Sequence, residues 1–462
     1  MKKILFLPVE TELRELDYKL VLASKLVSQD VSVFVGQHNV LNRITSLFNG
    51  GVYIGKNFLL DPNSSSHDIY DSYKRQDFSI LWYHEEGGVW GGGENNWKRI
   101  LNHFLDPTIF SEDDAILCWG SFQKSFYDSF PHKSQSYVVG AARFDVKKDP
   151  VFRELLQKNT RVKDKDYILI NTNFSASNHF ISSEYILNNQ RRAEKLTPEA
   201  QIELLVDFSE QVKNMTLFFE MIFHLSKSNP SKKFIVRPHP TESLELYRKL
   251  FSSFANIEIT KEYSAVEWIA GCSAMIQNGC TTSLEAYFLE KPIISYYPIE
   301  TSYGVKLTEG IGTLCTTLKE AQSAIHNVTF EQDINHNKGS LEALIANFNS
   351  KTCSMDLIAE IALKSLANKS KNKIRLFKIK SRIVMMNLFL LIKYYPRYFF
   401  KEKQAAYKMA VSHFPGFSKR EIHSKVESIN SIIDASIDLN FISKNLFILS
   451  SEKIKTEPDV KS

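Results

Sequence analysis

Three short motifs hold residues whose types and spacing suit group transfer at a phosphate. The first is His84-Glu85-Glu86-Gly87, the second Arg237-Pro238-His239-Pro240, and the third runs from Gln277 through Asn278, Gly279, Cys280, Thr281, Thr282, Ser283 and Leu284 to Glu285. Adjacent carboxylates raise one another's pKa, so either Glu85 or Glu86 is a candidate base for the proton of an attacking hydroxyl. The glycines that follow permit close backbone approach; the alternative is a tight turn carrying two solvated acids. His239 sits between prolines that fix an extended backbone no helix could share. A histidine presented so rigidly, with the permanent cation Arg237 nearby, can offset charge developing on a leaving phosphate oxygen. A histidine satisfied within its own turn is the other reading.

The third motif reads as strand, glycine turn and helix start. Gln277 ends the strand and Gly279 makes the turn, both candidate nucleotide contacts with Arg237, and Thr281, Thr282 and Ser283 offer hydroxyls and amides to a phosphate at the positive end of a helix dipole. Glu285, one turn further, suits ribose hydroxyls. An ordinary cap with Glu285 as a first-turn acid would look the same. Two further segments follow strands and are candidates for an acceptor or cleft surface: Glu10 to Asp17, with Glu10 and Glu15, and Gly140 to Asp145, with Arg143. A solvated helix start and a salt-bridged turn of Arg143 and Asp145 are their plainer readings.

The elements that must position these residues alternate strand and helix. Residues 3–9 are an apolar run, and Glu12 to Leu26 carries its leucines mainly on one helical face. Val31 to Val35 completes a β-α-β opening, and strands are predicted at Phe78–Tyr83, Ala115–Trp119 and Ser136–Val139. After a polar stretch from Gln157 to Asp166, a second series starts at Tyr167–Ile170. It continues through an amphipathic region from Pro198 to Ser226, strands at Lys233–Arg237, Ile257–Ile259 and Ala274–Gln277, a helix from Thr282 and a strand at Pro292–Tyr296. Such alternation predicts parallel sheets covered by helices. Two Rossmann-like domains in series, facing a cleft at their strand C-termini, make the α/β class called GT-B. The expected division is 1–160, 161–350 and a helical basic extension over 351–462.

Length and composition agree with a multidomain globular chain: 462 residues, 43% hydrophobic, 24% charged, net charge +5. The apolar N-terminal run is too short for a signal peptide and meets Glu10, Glu12 and Arg14 at once. Five scattered cysteines without CxxC spacing argue against a disulfide framework or a zinc site and for a reducing, cytoplasmic setting. No metal-ligand cluster, Walker pattern or GxGxxG is present, so no metal or cofactor is expected beyond a substrate nucleotide. The charge is concentrated: from Lys364 to Lys403 twelve Lys or Arg face one acid, Glu402. They surround Ile383–Ile392 and the aromatic run Tyr394–Phe400, which suits an interfacial helix on anionic lipid, at about 1 kcal/mol per basic residue. A buried crossover helix with a solvated basic face is the other reading. Nothing points to nucleic acid.

In this order the acid-acid-Gly, His-Pro and Ser/Thr motifs resemble those of bacterial sialyltransferases and capsular β-Kdo transferases, which use CMP-activated sugars. Pro8-Val-Glu-Thr11 with Arg14-Glu-Leu-Asp17, Gly140-Ala-Ala-Arg-Phe-Asp145, Asn171-Thr-Asn-Phe174 and Arg237-Pro-His-Pro240 are similar to a family of bacterial surface carbohydrate biosynthesis proteins, over roughly residues 1–300. The resemblance implies a metal-independent glycosyltransferase moving an acidic sugar from CMP to a surface polysaccharide or lipopolysaccharide acceptor at the inner face of the cytoplasmic membrane. It makes Glu85 the base with Glu86 its neighbour, His239 the residue at the CMP phosphate, and Thr281 to Ser283 the phosphate contacts. Asn173, within its Asn-Thr-Asn-Phe motif, joins Glu10, Glu15 and Arg143 as a cleft candidate. The Thr-Thr-Ser-Leu-Glu-Ala run also resembles the donor helix of UDP-sugar enzymes, including UDP-N-acetylglucosamine 2-epimerases. A UDP-sugar enzyme is therefore an alternative, and a non-catalytic partner in polysaccharide assembly is a third.

Overall fold

The computed structural model describes residues 1–56, 66–85, 90, 93–194, 198–301, 308, 310–327, 329, 338–348, 350–394 and 414–454. It divides into two α/β units, the first built from Met1–Gly88, Lys98–Asn159 and Glu342–Ser462, the second from Val89–Trp97 and Thr160–Leu341.

In the first unit β1 (Lys3–Pro8), β2 (Val31–Gly36), β3 (Gly51–Gly55), β4 (Phe78–Tyr83), β5 (Ala115–Cys118) and β6 (Gln135–Val138) run parallel in the order 2-1-3-4-5-6. The near-continuous β-branched and aromatic runs of β2 and β4 are fully buried, as sheets covered on both faces require, while the edge strand β6 is partly exposed. Phe6 anchors an aromatic cluster with Phe34, Phe48, Tyr73 and Phe78, whose ring centroids lie 5.1–6.3 Å from its own.

The second unit holds β7 (Ile168–Asn171), β8 (Phe234–Arg237), β9 (Ile257–Ile259), β10 (Ala274–Gln277), β11 (Ile293–Tyr296) and β12 (Thr313–Cys315), all parallel, in the order 12-11-10-7-8-9. The long helix Pro198–Ser228 gives Phe218, Met221, Ile222 and Leu225 to a core shared with Ile170, Val236, Ile276 and Ile294. The two-unit, parallel-sheet α/β class expected from the sequence is the one observed.

The C-terminal segment differs from the separate helical extension predicted for 351–462. The helix Ser354–Ala367 contacts β1, β3 and the helix Glu12–Leu26. Beyond it a hairpin, β13 (Asp438–Ser443) and β14 (Leu446–Ser450), joins the first sheet, with β14 antiparallel to β2. Leu446, Phe447 and Ile448 are fully buried, so the hairpin completes the core of the first unit. The aromatic run Tyr394–Phe400 lies outside the described residues, apart from the backbone of Tyr394 at a helix end.

Candidate functional site

Both sheets reverse their winding beside their first strand. In the second unit the chain passes from β7 outward through β8 and β9, then returns to lay β10 on the other side of β7. The crevice at the C-terminal ends of the strands flanking such a reversal is where open α/β sheets bind ligands. Asn171 ends β7, and its Nδ2 donates across that point to Thr282 Oγ1 at 2.9 Å, at the start of the helix that follows β10. Asn278, just past β10, is 2% exposed, and among the described residues neither its Oδ1 nor its Nδ2 has a hydrogen-bond partner.

His239, just past β8, lies at the same edge. Its Nδ1 is 3.0 Å from Ser175 Oγ and 2.8 Å from Thr241 Oγ1, and accepts from the Thr241 amide at 3.3 Å. An amide donating to Nδ1 makes that nitrogen an acceptor and puts the proton of the neutral ring on Nε2. Ser175 also reaches Asn173 Oδ1 at 3.5 Å, so Asn173, half-buried, belongs to this edge.

Glu242 holds the edge together. It is fully buried, and its Oε1 accepts from Thr172 Oγ1 at 2.8 Å and from the amides of Phe174 at 3.1 Å and His239 at 2.9 Å, while Oε2 accepts from Tyr247 at 2.6 Å. One carboxylate thus ties the loop after β7, the loop after β8 and the helix Leu244–Phe251 into a single piece. Burial pushes its pKa up, against the pull of these four donors. In the sequence Glu242 stands in Pro-Thr-Glu-Ser and looks like a first-turn surface acid; the fixed extended course before it is the only local hint of its depth. Lys261 Nζ donates to the carbonyls of Pro240, at 2.9 Å, and Glu242, and burial lowers its pKa to about 8. Arg237 Nη2 donates to the Tyr263 carbonyl at 3.0 Å. Both cations are thus anchored to backbone carbonyls of the segments that follow β8 and β9.

The third motif is organised from inside. Gln277 is fully buried: its Oε1 accepts from the amides of Gly279 at 2.6 Å and Cys280 at 3.0 Å, and its Nε2 donates to Ser295 Oγ at 2.6 Å. Gln277 therefore shapes the turn, where a nucleotide contact had been predicted. Gly279 has φ +85°, in the left-handed region a side chain would strain. Ser283, expected among the phosphate contacts, is buried with its hydroxyl turned back to the Cys280 carbonyl at 2.9 Å; the helix Thr282–Phe288 uses it internally. Thr281 and Thr282 remain half-buried at its start, and Glu285 is buried one turn on.

In the first unit Glu85 has a setting the sequence did not announce. It is buried at the end of β4, with Oε1 2.6 Å from Lys19 Nζ and Oε2 accepting from the Tyr18 hydroxyl. Lys19 also pairs with Glu15 at 2.7 Å and donates to the Pro8 carbonyl. Glu15 in turn accepts from the amides of Glu10 and Thr11, each at 3.0 Å. Burial, with Glu15 nearby, holds Glu85 above the usual carboxylate range despite Lys19; burial opposes ionisation of Glu15 too, but Lys19 and the two amides bring it lower. The reading of this segment as a tight turn with two solvated acids does not hold for Glu85: Lys19, eight residues beyond Thr11, draws its carboxylate inward. Glu86 lies outside the described residues. Glu10 pairs with Lys56 across the winding reversal between β1 and β3.

Arg143 is buried over the rings of Trp119, 5.5 Å away, and Phe144, 4.6 Å away. Asp145, its predicted salt-bridge partner, instead accepts from Asn347 Nδ2 at 2.7 Å and the Met355 amide at 3.0 Å, and burial raises it to about 6. Asp149, Cys353 and Asp356 could group around an ion, but the Lys25 ammonium is 2.7 Å from Asp149 and 2.8 Å from Asp356. The motif from Gly140 to Asp145 therefore fastens the C-terminal segment to the first unit.

No protein-family model matches this chain, and no curated protein matches it. Solved structures are similar to it at low identity. A UDP-GlcNAc 2-epimerase of Methanocaldococcus jannaschii, in complex with UDP-GlcNAc and UDP, is 15% identical over 79% of this chain and 100% of its own, with a TM-score of 0.42. The Neisseria meningitidis UDP-GlcNAc 2-epimerase bound to UDP-GlcNAc is 14% identical over 79% and 100%, with a TM-score of 0.41. The wall teichoic acid polymerase TagF is 10% identical over 79% of this chain and 88% of its own, with a TM-score of 0.45.

Proposed function

We propose that this chain is a nucleotide-sugar-dependent enzyme of surface carbohydrate synthesis whose second α/β unit takes the nucleotide. The observation that carries the reading is the hydrogen-bonded edge at the winding reversal of the second sheet. There Asn171 bonds Thr282 between the ends of β7 and β10, and Ser175 bonds His239 between the loops after β7 and β8, with Arg237 at the end of β8 and Lys261 on the Pro240 carbonyl. A neutral imidazole carrying its proton on Nε2 donates to a phosphate oxygen, and the half-buried Thr281 and Thr282 supply hydroxyls. As the leaving phosphate gathers charge, that hydrogen bond strengthens, which favours the transition state over the bound donor.

Titration calorimetry with CMP and with UDP tests this. Binding of one nucleotide is expected, weakened roughly tenfold by Thr282→Val, with His239→Ala lowering turnover roughly a hundredfold or more while the fold is kept. Absence of binding by either nucleotide overturns the reading.

The choice between donors is a second question. Transfer of an acidic sugar from CMP to a glycan was tied to Glu85 as base, and Glu85 is engaged by Lys19 and Tyr18. That observation favours the alternative in which a UDP-sugar is transferred or epimerised with the reactive groups drawn from other residues. Preference for UDP in the titration supports it, and preference for CMP restores the acidic-sugar reading. Nucleotide binding without turnover of any nucleotide sugar would instead indicate a partner that senses the donor.

A further inference from the structure

The helix Leu376–Tyr394 has two apolar faces, and the first unit uses one of them. Leu376, Ile379 and Ile383 are buried, and the helix contacts the helix His38–Ile44 and β13. At about 100° per residue, Phe377, Val384 and Leu388 share a second stripe roughly 130° round the helix from the buried one. These are large side chains turned to solvent: Phe377 is 74% exposed, Val384 65%, and Leu388 58%, with Met385 beside them at 66%. Single exposed apolar residues are ordinary, but four along one side of one helix form a surface.

The charges beside the stripe indicate what it meets. Between Lys373 and Arg382 stand five cations and no acid, and no acid follows before the end of the helix. Lys378 and Arg382 project on one flank of the stripe and Lys380 on the other. Among the described residues Arg375, Lys378 and Lys380 make no ion pair, whereas exposed lysines elsewhere, such as Lys124, Lys233 and Lys371, are paired with aspartates. An apolar ridge between rows of uncompensated cations matches a bilayer interface with anionic headgroups, in which the ridge enters the acyl boundary and the long basic side chains reach back to phosphate. Among the described residues no helix is long and apolar enough to cross a membrane, so the contact lies along the surface.

We infer that the outer face of the helix Leu376–Tyr394 docks the first unit onto an anionic phospholipid bilayer, with Phe377, Val384, Met385 and Leu388 as the inserted side chains. Deleting the C-terminal segment cannot test this, because the helix Ser354–Ala367 and β14 are part of the first unit's core. Substitutions on the exposed face can. The full chain is expected to sediment with phosphatidylglycerol vesicles, weakly with phosphatidylcholine vesicles, and less as salt rises. Phe377→Ser with Val384→Ser and Leu388→Ser, and separately Lys378→Glu with Lys380→Glu, should each lower partitioning by about tenfold or more, with the melting temperature unchanged. A fluorophore on Leu388→Cys should shift to the blue on addition of anionic vesicles alone. Wild-type protein that ignores phosphatidylglycerol overturns the inference, as do variants that bind it undiminished. So does concentration-dependent dimerisation that the serine variant abolishes, which would assign the stripe to a second copy of the chain.

Discussion

Lys19 is the residue that alters the reading of the first unit most. A buried lysine held by two carboxylates is costly to disturb from one side, because removing it leaves like charges together in a medium that solvates them poorly. Lys19→Met is therefore expected to destabilise the first unit by about 3–5 kcal/mol, measured by denaturant unfolding. Glu85→Gln leaves Lys19 paired with Glu15 and should cost far less; its turnover then reports separately on any part Glu85 plays in the reaction. Glu242 offers a parallel test in the second unit. Glu242→Gln keeps an oxygen for the amides of Phe174 and His239 and is expected to cost about 1 kcal/mol, whereas Glu242→Ala leaves buried donors without an acceptor and should cost about 3 kcal/mol or more. A His239 amide that loses hydrogen-exchange protection in the alanine variant would place the damage at the proposed site. The motifs bearing His239 and Thr282 were legible in the sequence because proline and glycine mark them, whereas Asn171 entered through the resemblance of its Asn-Thr-Asn-Phe motif. Lys19 and Glu242 were not, since a lysine or glutamate that becomes buried is spelled like one that stays in water, and its partner lies far along the chain.

Among the elements, the helix Ala265–Gly271 shows how local and distant signals combine. Ser264 and Glu267 form a capping box at its start, legible from spacing alone, but Glu267 also receives Arg161 Nη2 at 2.8 Å and Nε at 3.1 Å. Burial would raise this carboxyl; Arg161 and the backbone amides prevail and bring it to about 2. A folded pKa below the unfolded one stabilises above about pH 4 and is lost as pH falls toward 2, so acid unfolding of the second unit should be steepest in that window. Arg161→Ala is expected to cost about 2 kcal/mol near neutrality and to flatten that acid limb, as thermal melts across pH would show. Most strands of both sheets were readable as apolar runs. β3, only Gly-Val-Tyr-Ile-Gly, was too short to stand out. The β13–β14 hairpin was passed over because the basic residues before it dominate the segment, although two apolar runs flank Lys444 and Asn445 in the expected way.

At the scale of the molecule, the first unit is assembled from both ends of the chain, and most of the second is the stretch between them. A protein ending at residue 341 lacks the helix Ser354–Ala367, β13 and β14. The second unit should survive in it while the first loses cooperative unfolding, a difference that hydrogen exchange of β1 against β8 would resolve. Sequence periodicity revealed two Rossmann-like halves, because each helix and strand is a local pattern. It did not reveal that the last hundred residues belong to the first half, because that pairing joins Leu446 to Gly36 across the whole length of the chain.

That same pairing governs the order in which the protein can be completed on a ribosome. Until β14 emerges, β2 is an open edge whose backbone groups invite another chain, and the helix that covers β1 and β3 is also missing. The strands of the second unit emerge earlier and can settle while the amino-terminal sheet is still waiting. The sheet of the first unit, begun before the second unit, is thus finished after it, and through that interval its exposed edge is where a nascent-chain chaperone would have most to protect.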